Sequence, residues 1–156
     1  MADKFRVRHS ARHQFFPVAS ATVIEVGDNV VYDATNDEVI PASDLADAGS
    51  LAGNQEAAHD IYLGVAEQRS LAGETKDIRV CIEGVVEFDC DSASFAPNDL
   101  VGLSENAAGD ALENQKVEVV ASTNLSIGRP YEVAASVTKV FVKIKSSYEG
   151  GVQTAE

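Results

Sequence analysis

The chain has 156 residues, 45% of them hydrophobic, with 25 acidic residues against 12 basic ones and a net charge of −13. That length fits one domain able to bury well over half of its unfolded surface without a disulfide framework. No apolar run is long enough to cross a bilayer, no apolar core follows the basic N-terminus as in a signal peptide, and an acidic body repels phosphate; the expectation is a chain that is not secreted, spans no membrane and binds no nucleic acid directly.

Residues 1–16 lack periodicity and read as an extended arm. Lys4, Arg6, Arg8 and Arg12 stand there against Asp3 alone, whereas residues 14–136 carry five basic and twenty-two acidic residues. Pro17 then fixes the backbone before a first strand expected near residues 21–26, which leads into the Gly27-Asp28 turn. Val30-Val31-Tyr32-Asp33 and Glu38-Val39-Ile40-Pro41 form a hairpin around Asn36-Asp37. Residues 43–53 read as a surface loop, and Gln55 to His59 as one or two turns of helix with Asn54 as N-cap. Strands follow at 61–67 and 77–88, with Gly84 a candidate bulge. The second half gives strands at 99–103, 116–121, 125–133 and 137–145, and a polar tail over 146–156.

The order of these signals repeats. Val26-Gly27-Asp28-Asn29-Val30-Val31, Leu63-Gly64 and the strand after Thr75-Lys76 are answered by Pro97-Asn98-Asp99-Leu100-Val101, Ile127-Gly128 and the strand after Thr138-Lys139. The expectation is an all-β domain over 17–145, a small β-barrel or β-sandwich with repeat halves at about 23–88 and 95–145 and one short helix, flanked by the arm 1–16 and the tail 146–156.

The chemistry-bearing residue types form no recognisable catalytic set. His9, His13 and His59 have no metal-ligand spacing, and the serines include no nucleophile elbow. Asp89-Cys90-Asp91-Ser92 starts like a calcium loop but has Ser94 and Leu100 where glycine and glutamate belong, so it reads as loop and turn. Cys81 and Cys90 read as buried small hydrophobes. Asp28 and Asp99 read as devices that start strands. Neither a catalytic residue, a metal nor a cofactor is expected. The cluster that competes for function is Lys4, Arg6, Arg8, Arg12, Phe15 and Phe16, either an intermolecular arm or a strand folded back on the acidic body.

Val-Gly-Asp-Asn-Val-Val-Tyr-Asp, Tyr-Leu-Gly-Val-Ala-Glu, Ala-Gly-Glu-Thr, Gly-Val-Val-Glu-Phe and Asn-Asp-Leu-Val-Gly, in that order, resemble the capsid cement, or head decoration, proteins of tailed bacteriophages. The likeness runs over about residues 23–104, and more loosely to 145; the basic arm has no counterpart in it. The resemblance implies a non-enzymatic virion structural protein that binds the outside of the major capsid protein lattice, as a homodimer or homotrimer, and stabilises the head. It also implies residence on the capsid exterior, and in the host cytoplasm during assembly. The alternative is a carbohydrate-binding or adhesion module displayed on a phage particle or fibre, using residues 43–53 and 104–114.

Overall fold

The computed structural model describes residue 3 and residues 6–148, with residues 7–11 described by their backbone alone. It is an all-β protein with one α-helix: β1 (Val7–Phe16), β2 (Asn29–Asp33), β3 (Glu38–Pro41), α1 (Leu51–Asp60), β4 (Tyr62–Ala66), β5 (Ile78–Phe95), β6 (Leu100–Glu105), β7 (Leu112–Val120), β8 (Gly128–Pro130) and β9 (Ala134–Lys145). The longest strand is β5, whose 18 residues run through both halves of the molecule.

The sheet order closes a five-stranded barrel, β5-β7-β6-β8-β9 and back to β5. The first half repeats this order as β1-β3-β2-β4-β5, with the β1 and β3 ends joined by the bond from Val39 N to Pro17 O, 2.9 Å. In both halves the second strand pairs with the third and fourth, and the first pairs antiparallel with the fifth. Strand β5 is therefore the last strand of unit one and the first of unit two.

Register makes the correspondence residue by residue. Val30 faces Gly64 as Val101 faces Gly128, and Phe16 faces Ile78 as Phe88 faces Val140. The interior of unit one holds Phe16, Ile24, Val30, Val39, Leu63, Ile78, Val80 and Ile82. Phe88, Phe95, Val101, Val117, Ile127, Val140, Val142 and Ile144 hold the same places in unit two. Burying a side chain of this size stabilises by about 1.5–3 kcal/mol, so the repeated pattern alone accounts for a large share of the core.

The strand-starting aspartates are also equivalent. Asp28 Oδ2 accepts from Glu25 N at 2.9 Å and Asp99 Oδ2 from Ala96 N at 2.8 Å, while each aspartate N–H donates back to the same residue's carbonyl. The turns differ in one respect. Gly27 has φ 98, whereas Asn98 does not take a positive φ.

Several boundaries depart from those read in the sequence. Residues 21–26 form no strand; Ile24 alone pairs there, in an isolated bridge to Ser70. Helix α1 begins at Leu51 rather than near Gln55, capped by Ser50 Oγ accepting from Gly53 N. Asn54 lies inside the helix and its Oδ1 accepts from Ala48 N, holding the preceding loop. Gly84 keeps register with β9, and the irregularity opposite it is the extra residue in β1 between Ser10 and Arg12. Asp89 to Ser92 is strand, not loop, because Phe88, Cys90 and Phe95 hold that end of β5 in the core.

Helix α1 is inserted in unit one and packs on unit two, where Gln55 Nε2 donates to Leu103 O (2.8 Å) and His59 Nδ1 to Ser126 O (2.6 Å). A buried polar set crosses the same boundary. Tyr62 OH donates to Asn29 Oδ1, Asn29 Nδ2 to Asn114 O, and Gln115 Nε2 to Asp28 Oδ1. Buried hydrogen bonds of this kind fix one arrangement of the units, since any slip would strand their donors and acceptors without partners.

Candidate docking face

Strand β1 settles how the arm lies. Residues 7–16 are a strand of the chain's own sheet, from Val7 opposite Val86 to Phe16 opposite Ile78, and not a free arm. Polar as well as apolar contacts hold it there. Glu67, with a side chain only 5% exposed, receives Arg79 Nε at 2.5 Å and His13 Nδ1 at 3.2 Å. Arg6 approaches Glu87 at 3.9 Å.

Strand alternation then separates the two aromatics. Phe15 is 57% exposed, opposite Arg79, while Phe16 is 6% exposed in the core of unit one, edge-on to Tyr148 with ring centroids 5.8 Å apart. Phe16 is thus the counterpart of Phe88 and not available to a partner. Lys4 lies outside the described residues, as do residues 149–156 of the tail, and Arg8 is described by its backbone only. Residues 146–148 are docked, through Ser146 Oγ and Ser147 N and Oγ on Tyr62 O.

Arg6 and Arg12 do share a surface, with residues that the sequence reading passed over. Strand β9 turns Val140, Val142 and Ile144 inward and Lys139, Phe141, Lys143 and Lys145 outward. Because facing residues in a sheet project to one side, the pairings set these groups in rows across β8, β9, β5 and β1. The first row is Tyr131, Phe141, Glu87 and Arg6. The second is Arg129, Lys143 and Val85. The third is Lys145, Glu83 and Arg12. Four strands at their usual spacing span about 14 Å. The signal was legible in the alternation Lys139-Val140-Phe141-Val142-Lys143-Ile144-Lys145, basic at three of its four outward positions.

The charges on this face are unlike those elsewhere. Lys76, Arg79 and Lys116 stand against Glu74, Glu67 and Asp91, and Arg69 against Asp3. Lys139 bonds Asp89 on the margin of the face. Among the described residues no carboxylate ion-pairs with Arg129, Lys143 or Lys145, and only Arg129 has a polar contact, to Asn98 O at 2.8 Å. Tyr131 and Val133 project beside them at the β8–β9 turn.

Concave sites are poor by comparison. A recess of about 80 Å³ lies among Arg6, Gly27, Glu87, Asp89, Gln115 and Lys139, well below the roughly 300–1,000 Å³ of ordinary small-molecule sites. No group of three or more His, Cys, Asp or Glu among the described residues is placed to hold a metal ion. Cys81 and Cys90 are both free and buried, and burial together with Asp89 and Asp91 raises the Cys90 thiol above its ordinary value. The segments 43–53 and 104–114 carry no aromatic side chain, and much of the first is committed to the start of α1. No helix among the described residues is long and apolar enough to cross a membrane. No model of a known protein family matches the chain, and no curated protein matches it.

Proposed function

We propose that this chain is a non-enzymatic virion structural protein that binds the outer surface of a major capsid protein lattice and stabilises the head. The observation that carries the reading is the set Arg129, Lys143 and Lys145, without a carboxylate partner among the described residues and flanked by Tyr131 and Phe141, on an otherwise acidic molecule. Cations left without carboxylate partners where acidic residues outnumber basic ones two to one are available to an acidic surface on something else. Exposed aromatic rings beside them supply the desolvated contact area that anchors interfaces.

The resemblance to capsid cement proteins supplies the partner, and the build of the molecule suits the task. Two interlocked units around one long strand make a rigid body, and a protein that stabilises a shell acts through many modest contacts repeated over the lattice. The acidic remainder faces outward, where like charge keeps particles apart and packaged nucleic acid is not contacted. Neither a cofactor nor a membrane enters this reading. Co-sedimentation of the purified chain with assembled shells, against free capsid subunits, tests it: pelleting with shells supports it, and no association with either contradicts it.

A further inference from the structure

We propose that the recess beside Glu87 is a socket for one cationic side chain, an arginine or a lysine, of the protein that docks on the β8–β9–β5–β1 face. The proposal rests on the capsid reading of that face and adds what the partner must present there. Glu87 lies opposite Phe141, one row from Val85 and Lys143, so about 7 Å of sheet separates it from the cations of the face. Its side chain is only 16% exposed, and the one cation near it among the described residues, Arg6 Nε, stands at 3.9 Å, beyond hydrogen-bond distance. No described residue donates a hydrogen bond to the Glu87 carboxylate. Glu67, in contrast, receives both Arg79 and His13. A carboxylate set this deep without a donor carries a free-energy cost that an incoming charged N–H group offsets.

The recess has the size for it. Its volume of about 80 Å³ is several times the roughly 10–15 Å³ that one water needs, so the end of a single side chain fits where a metabolite does not. One wall is Gln115, which is 4% exposed and bonded through Nε2 to Asp28 Oδ1, so that a further carboxylate stands behind it. On the rim, Lys139 is committed to Asp89 at 2.5 Å. Arg6 is 74% exposed and loosely held, and it swings into solvent when another cation arrives. An incoming carboxylate would instead press a second negative charge on Glu87, in a recess whose ammonium is already bonded. A cation in this socket, beside acidic groups over Arg129, Lys143 and Lys145, sets one register of the partner on the face, since other registers juxtapose like charges.

Co-sedimentation with assembled shells compares Glu87→Gln and Arg6→Gln with the unsubstituted chain and with Arg129→Glu/Lys143→Glu/Lys145→Glu. Glu87→Gln should bind shells at least about tenfold more weakly. Arg6→Gln, which removes the loose competitor at an exposed position, should bind as well as the unsubstituted chain or better. Unchanged binding by Glu87→Gln, with the triple variant weakened, overturns the socket and leaves the face standing. Tighter binding by Glu87→Gln together with weaker binding by Arg6→Gln means that an anion enters the recess, and overturns the socket too. If the unsubstituted chain does not bind shells, the capsid reading fails and a titration without any partner decides the socket. Isotope-labelled chain is titrated with methylguanidinium: amide shifts at Gly27, Glu87 and Gln115 that disappear in Glu87→Gln support the socket, and no shift at these residues overturns it. The same titration of the unsubstituted chain, with Arg6→Gln on shells, carries the test if Glu87→Gln does not fold.

Discussion

Gly64 and Gly128 occupy one and the same place in successive units, each pressed onto the strand that closes its unit. A Cβ at Gly64 would lie 1.9 Å from Cys81 O, and one at Gly128 would lie 2.2 Å from Lys143 O. Both contacts are with backbone, so no side chain can move aside.

Alanine at either glycine should therefore cost more than an ordinary substitution, about 4 kcal/mol or above. Gly64 has φ +152, a conformation that non-glycine residues rarely adopt, while Gly128 lies outside that region. Gly128→Ala thus reads the close approach alone, and Gly64→Ala reads close approach plus backbone strain. Denaturant midpoints of the two variants check this; a loss below about 1 kcal/mol at both would contradict the close packing.

The two phenylalanines of β1 should separate cleanly. Phe16→Ala removes a core ring and should cost about 3–5 kcal/mol. Phe15→Ala removes an exposed one and should change stability by no more than about 0.5 kcal/mol. Equal losses from thermal or chemical unfolding would mean that β1 does not sit in the register seen in the structure.

That contrast marks how far the sequence could be read. The all-β class, the β2–β3 hairpin and the repeat were legible because Gly27-Asp28, Asn98-Asp99, Leu63-Gly64 and Ile127-Gly128 are local signals with local causes. The place of β1 was not, because its partners lie on β5, far along the chain, and alternation in a segment interrupted by extra residues does not show which face is buried. Phe16 looks like an interface anchor until Phe88 identifies its place. The helix start was missed because Ser50 and Asn54 are equally good cap residues, and the choice is made by the contact of Asn54 with Ala48. The docking face was half legible. Arg6 and Arg12 were found as an arm, but their association with Arg129, Lys143 and Lys145 exists only once β8, β9, β5 and β1 are side by side.

Asp28 gives a pH prediction with a definite sign. Burial raises its carboxyl above the ordinary 3.8, against the opposing effect of its bonds from Glu25 N and Gln115. The folded state then holds this proton to a higher pH than the unfolded state does. The resulting stability is fully present below pH 3.8 and is lost as pH rises through the folded value. The difference in unfolding free energy between the unsubstituted chain and Asp28→Asn should shift in favour of the former as pH is lowered through that window. A difference that is flat with pH, or that moves the other way, would contradict the raised value.

Charge reversal on the docking face should leave the fold intact. Arg129, Lys143 and Lys145 are exposed and hold no carboxylate among the described residues. Lys143→Glu with Lys145→Glu should therefore alter stability by no more than about 1 kcal/mol, as substitutions away from buried features do. The circular dichroism spectrum and denaturant midpoint check this, and a large loss would show that the face is structural.

The most direct test is quantitative co-sedimentation with assembled capsid shells of the unsubstituted chain and of the triple variant Arg129→Glu/Lys143→Glu/Lys145→Glu. The account predicts that the unsubstituted chain pellets with shells, that its affinity falls as salt screens the charges, and that the folded variant binds at least about tenfold more weakly, a difference of about 1.4 kcal/mol. Equal binding by both proteins, or no binding by the unsubstituted chain, would contradict it.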